Sequence, residues 1–457
     1  MHLHRSTLTL LLAGAAFAAA PVHAQVATPT PLVAVQSPPA AASGASGSID
    51  PVAATSAYIA LMSPEAKTRS NAYFEGGYWL DLWEFLWASA VFVLLLYAGI
   101  SVNMRDRAAA MVRWKPAQSV IYWVQFLVTL SILSLPIDVY RGYFREHQYG
   151  MSNLTLGGWF GERGKGLLIG VVLGSLAITG FYAIVRKVPR TWWIWGSIAG
   201  IGFLAFIALI VPVAIVPVFN HPTRLADQRV VQPILSLARA NGIDAQEVCE
   251  IDASKQTKRV SANVSGLMGT ERITLNDNLL SRSSLPEIEA VMGHEMGHYV
   301  LNHVYKGLVV FGVLTLILFA AVRLLFERLR RTYEAKWHVS GIGDLAGLPL
   351  LALCVGACLF VIKPVTNTVI RTQEYEADVF GLNAARQPDG FARAALMLSE
   401  YRKMEPGPIE EFMFFDHPSG HTRIYTAMRW KAENPSTWSP AVAPAAMTPP
   451  VVPALRR

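Results

Sequence analysis

The sequence predicts a mainly α-helical, polytopic membrane protein with about six spans and one small α+β domain between them. Three observations carry this prediction. Hydrophobic residues make up 53% of the chain and charged residues only 16%, whereas soluble proteins carry about 25% charged residues. Mean hydropathy is positive, at +0.34. One long polar stretch, residues 220–306, separates the apolar segments and is long enough for a small domain.

The N-terminus is typical of a secretory signal peptide. A short basic start precedes the apolar run Leu8–Ala20, which is too short to cross a bilayer comfortably, and Val22-His23-Ala24 fits a cleavage site. We therefore expect a signal peptide over residues 1–24, with an uncleaved anchor as the alternative. Residues 25–55 and 433–457 are biased towards proline and alanine, and we expect a disordered leader and a disordered tail there.

Six segments are apolar enough to cross a hydrocarbon core about 30 Å thick. They are Leu82–Asn103, Gln118–Asp138, Gly166–Val185, Trp192–Phe219, Gly307–Phe326 and Leu345–Val369. Four lie in an N-terminal membrane region, residues 56–219, and two in residues 307–370. Glu84 and Lys363 fall at membrane depth, where ionisable side chains usually face protein or water. They indicate a polar interior, with snorkelling towards the span ends as the alternative.

The polar domain combines helix and strand patterns. A first helix is predicted over Asp227–Asn241, ended by Gly242. Ser284 and Glu287 form a capping box before an apolar stripe, which predicts a second helix over about Leu285–Asn302. Between the two helices lie three short β-type runs, Glu247–Ile251, Arg259–Val264 and Glu271–Leu275.

The second predicted helix carries the most informative motif of the chain, His-Glu-Met-Gly-His. His294 and His298 are four residues apart and share one helical face, where two imidazoles can bind one ion. Glu295 can then point its carboxylate at a water on that ion. The alternative is a surface helix with two solvated histidines. His303 follows His298 by five positions, whereas the third histidine ligand of a metzincin follows by six. We therefore expect a structural or supporting role for His303.

A third ligand is predicted directly after the sixth span. A catalytic zinc site usually takes three protein ligands and leaves one position for water. Glu374 and Asp378 lie four apart on one helical face, so Glu374 could bind zinc while Asp378 accepts the N–H of a ligand histidine. Glu376 points elsewhere and is expected to be solvated. These residues open a predicted helical segment over residues 371–432.

Basic residues concentrate in loops on one side of the six-span order. Loops 104–117 and 186–191 and the loop after the fifth span hold twelve Lys and Arg, against four in loop 139–165. Because short cytoplasmic loops collect Lys and Arg, we expect a bacterial inner-membrane protein with its zinc site on the periplasmic side. This distribution explains most of the net charge of +7, so we expect no nucleic-acid partner.

Taken together, these motifs resemble the type I CAAX prenyl endopeptidases, integral-membrane zinc metalloproteases related to the membrane heat-shock zinc proteases. The resemblance covers roughly Ala72 to Arg429. Besides the histidine motif, its segments are Leu135-Pro136 to Gly150 with Tyr140, Phe144 and Glu146, Val211-Pro212 to Phe219, Lys258-Arg259 to Asn263, Glu374 to Asp378, and His417-Pro418 with Arg423. Eukaryotic members have an extra N-terminal span where this chain has a signal-like segment. Members in the endoplasmic reticulum turn the site to the cytosol, opposite to the side predicted here.

The resemblance implies one zinc ion per chain, a general base at Glu295 and a large water-filled chamber among the spans. The implied zinc ligands are His294, His298 and Glu374. It also implies a substrate-binding edge strand, with an inner strand as the alternative, at Asn263, Val264, Ser265 and Gly266. His417 and Arg423 match a family motif whose donors would stabilise the oxyanion, although Arg423 could instead pair with a helix carboxylate.

The predicted function is that of a membrane-embedded zinc metalloendopeptidase. Its expected partners are the lipid bilayer and a peptide or protein substrate, either a prenylated CAAX peptide or a target of membrane-protein quality control. An intramembrane site-2-type protease is disfavoured because the motif helix is too polar, with Glu287 and Glu289 near its start. A non-catalytic zinc-binding scaffold or transporter would be favoured by a missing ligand or base, and none is missing.

Overall fold

The computed structural model describes residues 49–265 and 271–435. The predicted signal peptide, the leader up to residue 48, Gly266 and the tail beyond residue 435 lie outside the described residues. The predicted end of the leader at residue 55 is wrong, because Pro51–Ile59 is a helix whose first turn is capped by the carboxylate of Asp50. The hydroxyl of Tyr58 donates to Asp389 at 2.7 Å and ties this helix to the C-terminal region.

The described part of the chain is mainly helical. Its α-helices are Pro51–Ile59, Pro64–Tyr97, Ile100–Met111, Lys115–Val139, Arg145–Gln148, Leu156–Lys187, Trp192–Ile210, Val216–Phe219, Gln228–Ala240, Asp277–Arg282, Leu285–Val300, His303–Trp337, Leu348–Ala385, Pro388–Leu398, Pro408–Phe414 and Gly420–Glu433. Two π-helical turns, Tyr140–Phe144 and Val211–Ile215, join helices within longer helical segments, and 3-10 turns form at Ala253–Lys255 and Leu345–Gly347.

Five helical segments of the described chain are long and apolar enough to cross a membrane. They are Pro64–Tyr97, Lys115–Gln148, Leu156–Lys187, His303–Trp337 and Leu345–Ala385. The other predicted span, Trp192–Phe219, forms a shorter apolar helix, Trp192–Ile210, followed by a π-helical turn and a single α-helical turn. The last helix continues past the predicted boundary at residue 370, so the final span and the segment with Glu374 form one element.

Both ionisable residues predicted at membrane depth are paired with charges on other helices. Arg141 binds Glu84 and Lys363 binds Asp81. Arg141 Nη2 also lies 3.8 Å from Asp81 Oδ1, which connects the two pairs. Three spans are therefore joined by a charged network. For Lys363 this pairing replaces the predicted alternative of snorkelling towards a span end.

The polar domain contains a four-stranded sheet in the order β1-β2-β4-β3. Its strands are β1 (Thr223–Arg224), β2 (Val248–Ile251), β3 (Ala262–Ser265) and β4 (Arg272–Asn276). Strands β2 and β4 are parallel, and the other two pairs are antiparallel. The three predicted β runs correspond to β2, β3 and β4 within a few residues. In the described chain β3 pairs with β4 alone, which places β3 at the edge of the sheet.

Helix Leu285–Val300, the motif helix, packs on this sheet through its apolar side. Ile288, Met292 and Met296 are buried in one cluster with Ile273 and Leu275 of β4. Burial of each such side chain contributes about 1.5–3 kcal/mol. Because this contact fixes the rotation of the helix, the two histidines of the motif are held on the opposite side, facing helix Leu348–Ala385.

The three basic loops lie together at the end of the spans away from the sheet. The chain before helix Leu156–Lys187 pairs with the sheet domain through a bridge between Ser152 and Thr257, so the far end of that helix lies about 48 Å away at about 1.5 Å per residue. There Arg105 Nη1 lies 3.0 Å from Asp344 Oδ2, and these two residues join the first and third basic loops.

Candidate metal centre

The motif helix begins where its capping box predicts. The backbone N–H of Ser284 donates to Glu287 Oε2 at 2.6 Å, and Leu285 is the first helical residue. Regular helix from there places His294 and His298 on one face, with their Nε2 atoms 3.2 Å apart. The helix ends at Val300, two residues before the predicted end.

Glycines let the motif helix and helix Leu348–Ala385 approach closely enough to share a site. A Cβ atom on Gly381 would lie 2.7 Å from the backbone N of His294. A Cβ on Gly293 would lie 3.0 Å from the carbonyl oxygen of Gly381, and one on Gly297 would lie 3.1 Å from Ala377 Cα. Cβ atoms hardly ever occur within 3.0 Å of backbone atoms, so the crossing requires glycine at position 381.

The crossing brings the ligand groups of three residues together from two helices. His294 Nε2 lies 3.3 Å from Glu374 Oε2, and His298 Nε2 lies 3.5 Å from Glu374 Oε1. Atoms bound at about 2.0–2.1 Å to a tetrahedral ion lie about 3.3 Å from one another. The observed separations of 3.2–3.5 Å match that spacing. These three residues can therefore hold a metal ion with a fourth position open.

His294 is oriented by a buried carboxylate, as predicted for Asp378. His294 Nδ1 lies 2.7 Å from Asp378 Oδ1, and Asp378 is fully buried. Arg423 binds both carboxylate oxygens of Asp378, with its Nε donating at 2.9 Å. Burial lowers the pKa of His294, but hydrogen bonds to Asp378 and Glu374 outweigh that effect and raise it to about 9. A metal ion bound here would therefore displace a proton from His294.

His298 has its own supporting chain. His298 Nδ1 lies 2.9 Å from His303 Nδ1, and His303 Nε2 lies 3.1 Å from Glu376 Oε2. Lys306 donates to the same carboxylate oxygen at 2.7 Å. Glu376 is partly exposed, as expected, but its carboxylate also lies at the rim of the site and contacts the buried His303. The sequence indicated this contact only through the position of Glu376, two residues after Glu374.

The remaining predicted residues lie around the same point. Glu295 is half-buried on the motif helix next to His294. His417 Nε2 lies 3.2 Å from Glu374 Oε2, and its Nδ1 lies 2.9 Å from Asp416 Oδ1. Asp416, adjacent to His417 in sequence, was not predicted. The guanidinium of Arg423 pairs with the carboxylate of Asp378, which is the alternative considered for Arg423 from the sequence.

The predicted substrate strand is an edge strand in the structure. Asn263, Val264 and Ser265 belong to β3, whose partner is β4. Val264 packs against the same cluster that buries Met292 and Met296 of the motif helix. The strand therefore lies beside the helix that carries the histidines.

The fold and the site together define a membrane metalloprotease. The chain belongs to peptidase family M48: residues 224–431 match the model of that family, and residues 53–221 match the N-terminal region of CAAX prenyl proteases, described as five membrane helices. This confirms the family, the fold class and the protease function predicted from the sequence.

Known proteins show the same similarity over most of the chain. An uncharacterized metalloprotease of Bacillus subtilis, YhfN, is 30% identical over 74% of this chain and 79% of its own length. CAAX prenyl protease 1 of Saccharomyces cerevisiae is 27% identical over 77% of this chain and 79% of its own length. The crystal structure of S. mikatae Ste24p has a TM-score of 0.68 at 21% identity, over 80% of this chain and 90% of that one. The last comparison shows a shared fold.

Proposed function

We propose that this protein is a zinc-dependent endopeptidase whose ion is held by His294, His298 and Glu374. The observation that carries the proposal is that the two Nε2 atoms lie 3.2 Å apart and each lies 3.3–3.5 Å from an oxygen of Glu374, which is the spacing of ligands on a tetrahedral ion. Two imidazoles and one carboxylate with an open position are typical of catalytic zinc. Each histidine is also held through its second ring nitrogen, by Asp378 or by His303, as in other zinc sites.

Each side chain around that ion has a separate role in the reaction. When bound, the metal would supply a Lewis acid that lowers the pKa of water and polarises the peptide carbonyl. Glu295 takes the proton of the attacking water and delivers it to the leaving amine. His417 is held between Glu374 and Asp416, which places its ring beside the position of the carbonyl oxygen, while burial and the charge of Arg402 lower the pKa of His417. Arg423 acts through Asp378 and keeps His294 in place.

The edge strand β3 offers a way to bind an extended peptide. Its outer edge has no strand partner among the described residues, so a substrate segment could pair there through backbone hydrogen bonds. Recognition of this kind depends mainly on the backbone of the substrate and less on its side chains. It suits an endopeptidase that cleaves unfolded segments of many sequences. Gly266, proposed as part of this strand, lies just beyond its described end.

We place the zinc site on the periplasmic side of a bacterial inner membrane. The three basic loops lie together at the end of the spans away from the sheet, and such loops mark the cytoplasmic side. Substrates on the opposite side would be segments of exported or membrane proteins. The similarity to CAAX prenyl protease 1 makes a prenylated peptide the second candidate substrate.

Two fluorogenic peptides of one sequence, one prenylated and one unmodified, test the proposal with detergent-purified protein. We expect cleavage of both, abolished by a zinc chelator and restored by added zinc. Cleavage of only the prenylated peptide would favour the second candidate and contradict the proposed orientation. Bound zinc without cleavage of either peptide would favour the non-catalytic scaffold.

A further inference from the structure

A second site lies at the end of the spans away from the metal centre. A cavity of about 340 Å³ opens there between three chain segments that are distant in sequence. Its polar lining comes from Arg105, Lys115, Gln118, Arg186, Ser340 and Asp344. Its volume falls in the range of about 300–1,000 Å³ that is usual for ligand sites. Along helix Leu348–Ala385, Glu374 lies 26 residues beyond the end next to this cavity, or about 39 Å.

The one carboxylate in the lining is already satisfied. Asp344 Oδ2 lies 3.0 Å from Arg105 Nη1 and accepts from the backbone N–H of Ser340 at 3.1 Å. Its other oxygen accepts from the N–H of Ala346 at 3.0 Å. Asp344 therefore neutralises Arg105 and anchors the loop, and it offers little attraction to further cations.

Two cations in the lining have no acidic partner. Lys115 Nζ donates to the amide oxygen of Gln118 at 3.2 Å. Arg186 Nη2 lies 3.5 Å from the hydroxyl of the buried Ser119, and its guanidinium lies over the ring of Tyr182. Neither has a carboxylate within 4 Å among residues 49–265 and 271–435. The lining therefore carries two positive charges without a carboxylate partner, on side chains that border one concave space and are also exposed to solvent.

The cavity lies at the ends of two helices that are long and apolar enough to span a membrane, where lipid head groups are expected. Lys115 is the first residue of one spanning helix and Arg186 the second-last of another. Beside them Met111 and Trp114 are 68% and 70% exposed. Exposed tryptophan at the end of a span is typical of the membrane–water interface. Basic pockets between span ends are suited to phosphate-bearing head groups.

We propose that this cavity binds a phosphate group, supplied by the head group of an anionic phospholipid. Lys115 and Arg186 would contact the phosphate oxygens. The acyl chains would extend along the apolar helix surfaces below Trp114. A free phosphate ion offers the same oxygens, but it lacks the chains that place a lipid at this depth.

Native mass spectrometry of the full-length protein in detergent micelles tests the proposal. The protein is titrated separately with phosphatidylglycerol, phosphatidylcholine and inorganic phosphate. We expect saturable binding of phosphatidylglycerol, weakened about five-fold by Lys115→Gln or Arg186→Gln and about 25-fold by both together. Arg113→Gln and Lys187→Gln are matched controls, since they remove the same charge from neighbouring positions outside the cavity. We expect a clearly smaller effect from either, because neither side chain lines the cavity.

Each outcome decides the proposal. Equal losses in the cavity variants and the controls, or no loss in either, would overturn it. Variant-dependent binding of inorganic phosphate without binding of phosphatidylglycerol would overturn the lipid as the source. Zinc content and peptide cleavage should be unchanged in all variants, because the metal centre is remote. A variant that loses zinc or cleavage activity is therefore misfolded. Because lipid binding and cleavage are measured separately, failure of this proposal can be distinguished from failure of the proposed protease activity.

Discussion

At the scale of single residues, the candidate metal centre contains two histidines and Glu374, and each histidine is held through its second ring nitrogen. Asp378 and Arg423 fix the ring of His294, while His303 and Glu376 fix the ring of His298. A histidine ligand binds a metal well only in one tautomer and one ring orientation, and the second ring nitrogen sets both. We therefore expect the supporting residues to affect metal affinity without contacting the ion.

His303 gives a direct test of that statement. We expect His303→Ala to weaken zinc binding by about 10–100-fold, because the ring of His298 loses its partner. Zinc affinity is measured by competition with a chromogenic chelator. His221→Ala, at an exposed position in the same domain, serves as the control and should leave affinity unchanged. Equal affinity in the two variants would show that His303 does not orient the ligand.

At the scale of secondary structure elements, the site depends on the close crossing of two helices. The motif helix presents Gly293 and Gly297, and helix Leu348–Ala385 presents Gly381, where the backbones come nearest. Glu374 lies about two turns before Gly381 on the same helix. Any increase in the distance between the helices therefore moves Glu374 away from both histidines.

A substitution where the motif helix crosses helix Leu348–Ala385 should show whether metal binding can be lost while the protein stays folded. We expect Gly381→Ala to lower zinc affinity by at least about ten-fold, because the added methyl group would lie 2.7 Å from His294 N and force the helices apart. Gly356→Ala is the matched control: it lies on the same helix and its Cβ would meet no atom within 4 Å. Zinc content and thermal unfolding of both variants are compared. Unchanged zinc affinity in Gly381→Ala would mean that the crossing tolerates a side chain.

Elements whose ends are set by local residues could be predicted closely. Helix Gln228–Ala240 lies within one residue of its predicted bounds because Asp227 caps its start, and Gly242, with φ of 73°, follows its end. The ends of the spans could not be predicted in this way. Apolar composition marks only the part within the bilayer, and helix Leu348–Ala385 continues well beyond it. Pairings such as that of Arg423 with Asp378 depend on tertiary packing between distant segments and leave no local signal.

At the scale of the whole molecule, the two ends of the membrane region differ in chemistry. One end carries the sheet and the metal centre, and the other carries the three basic loops and the cavity that they line. Between them, Arg141, Glu84, Lys363 and Asp81 join three spans by charge pairs. This polarity is the basis for the proposed orientation in the membrane.

Cysteine labelling tests the orientation. In a variant without Cys249, Cys354 and Cys358, we expect a membrane-impermeant maleimide to label Arg224→Cys in spheroplasts. Arg113→Cys, in the first basic loop, should be labelled only after the membrane is permeabilised. Both native residues are exposed, so accessibility of the side chain is matched. The reverse pattern would place the metal centre in the cytoplasm and restore cytoplasmic prenylated peptides as substrates.

The central claim, a zinc endopeptidase with Glu295 as its base, is tested most directly by Glu295→Gln. Zinc content and peptide hydrolysis are measured on one preparation, beside Glu289→Gln, which makes the same change six residues earlier on the motif helix. We predict about one zinc ion per chain in both variants and a loss of about 10²–10⁴-fold in turnover for Glu295→Gln alone. Full turnover by Glu295→Gln, with zinc bound, would contradict the account.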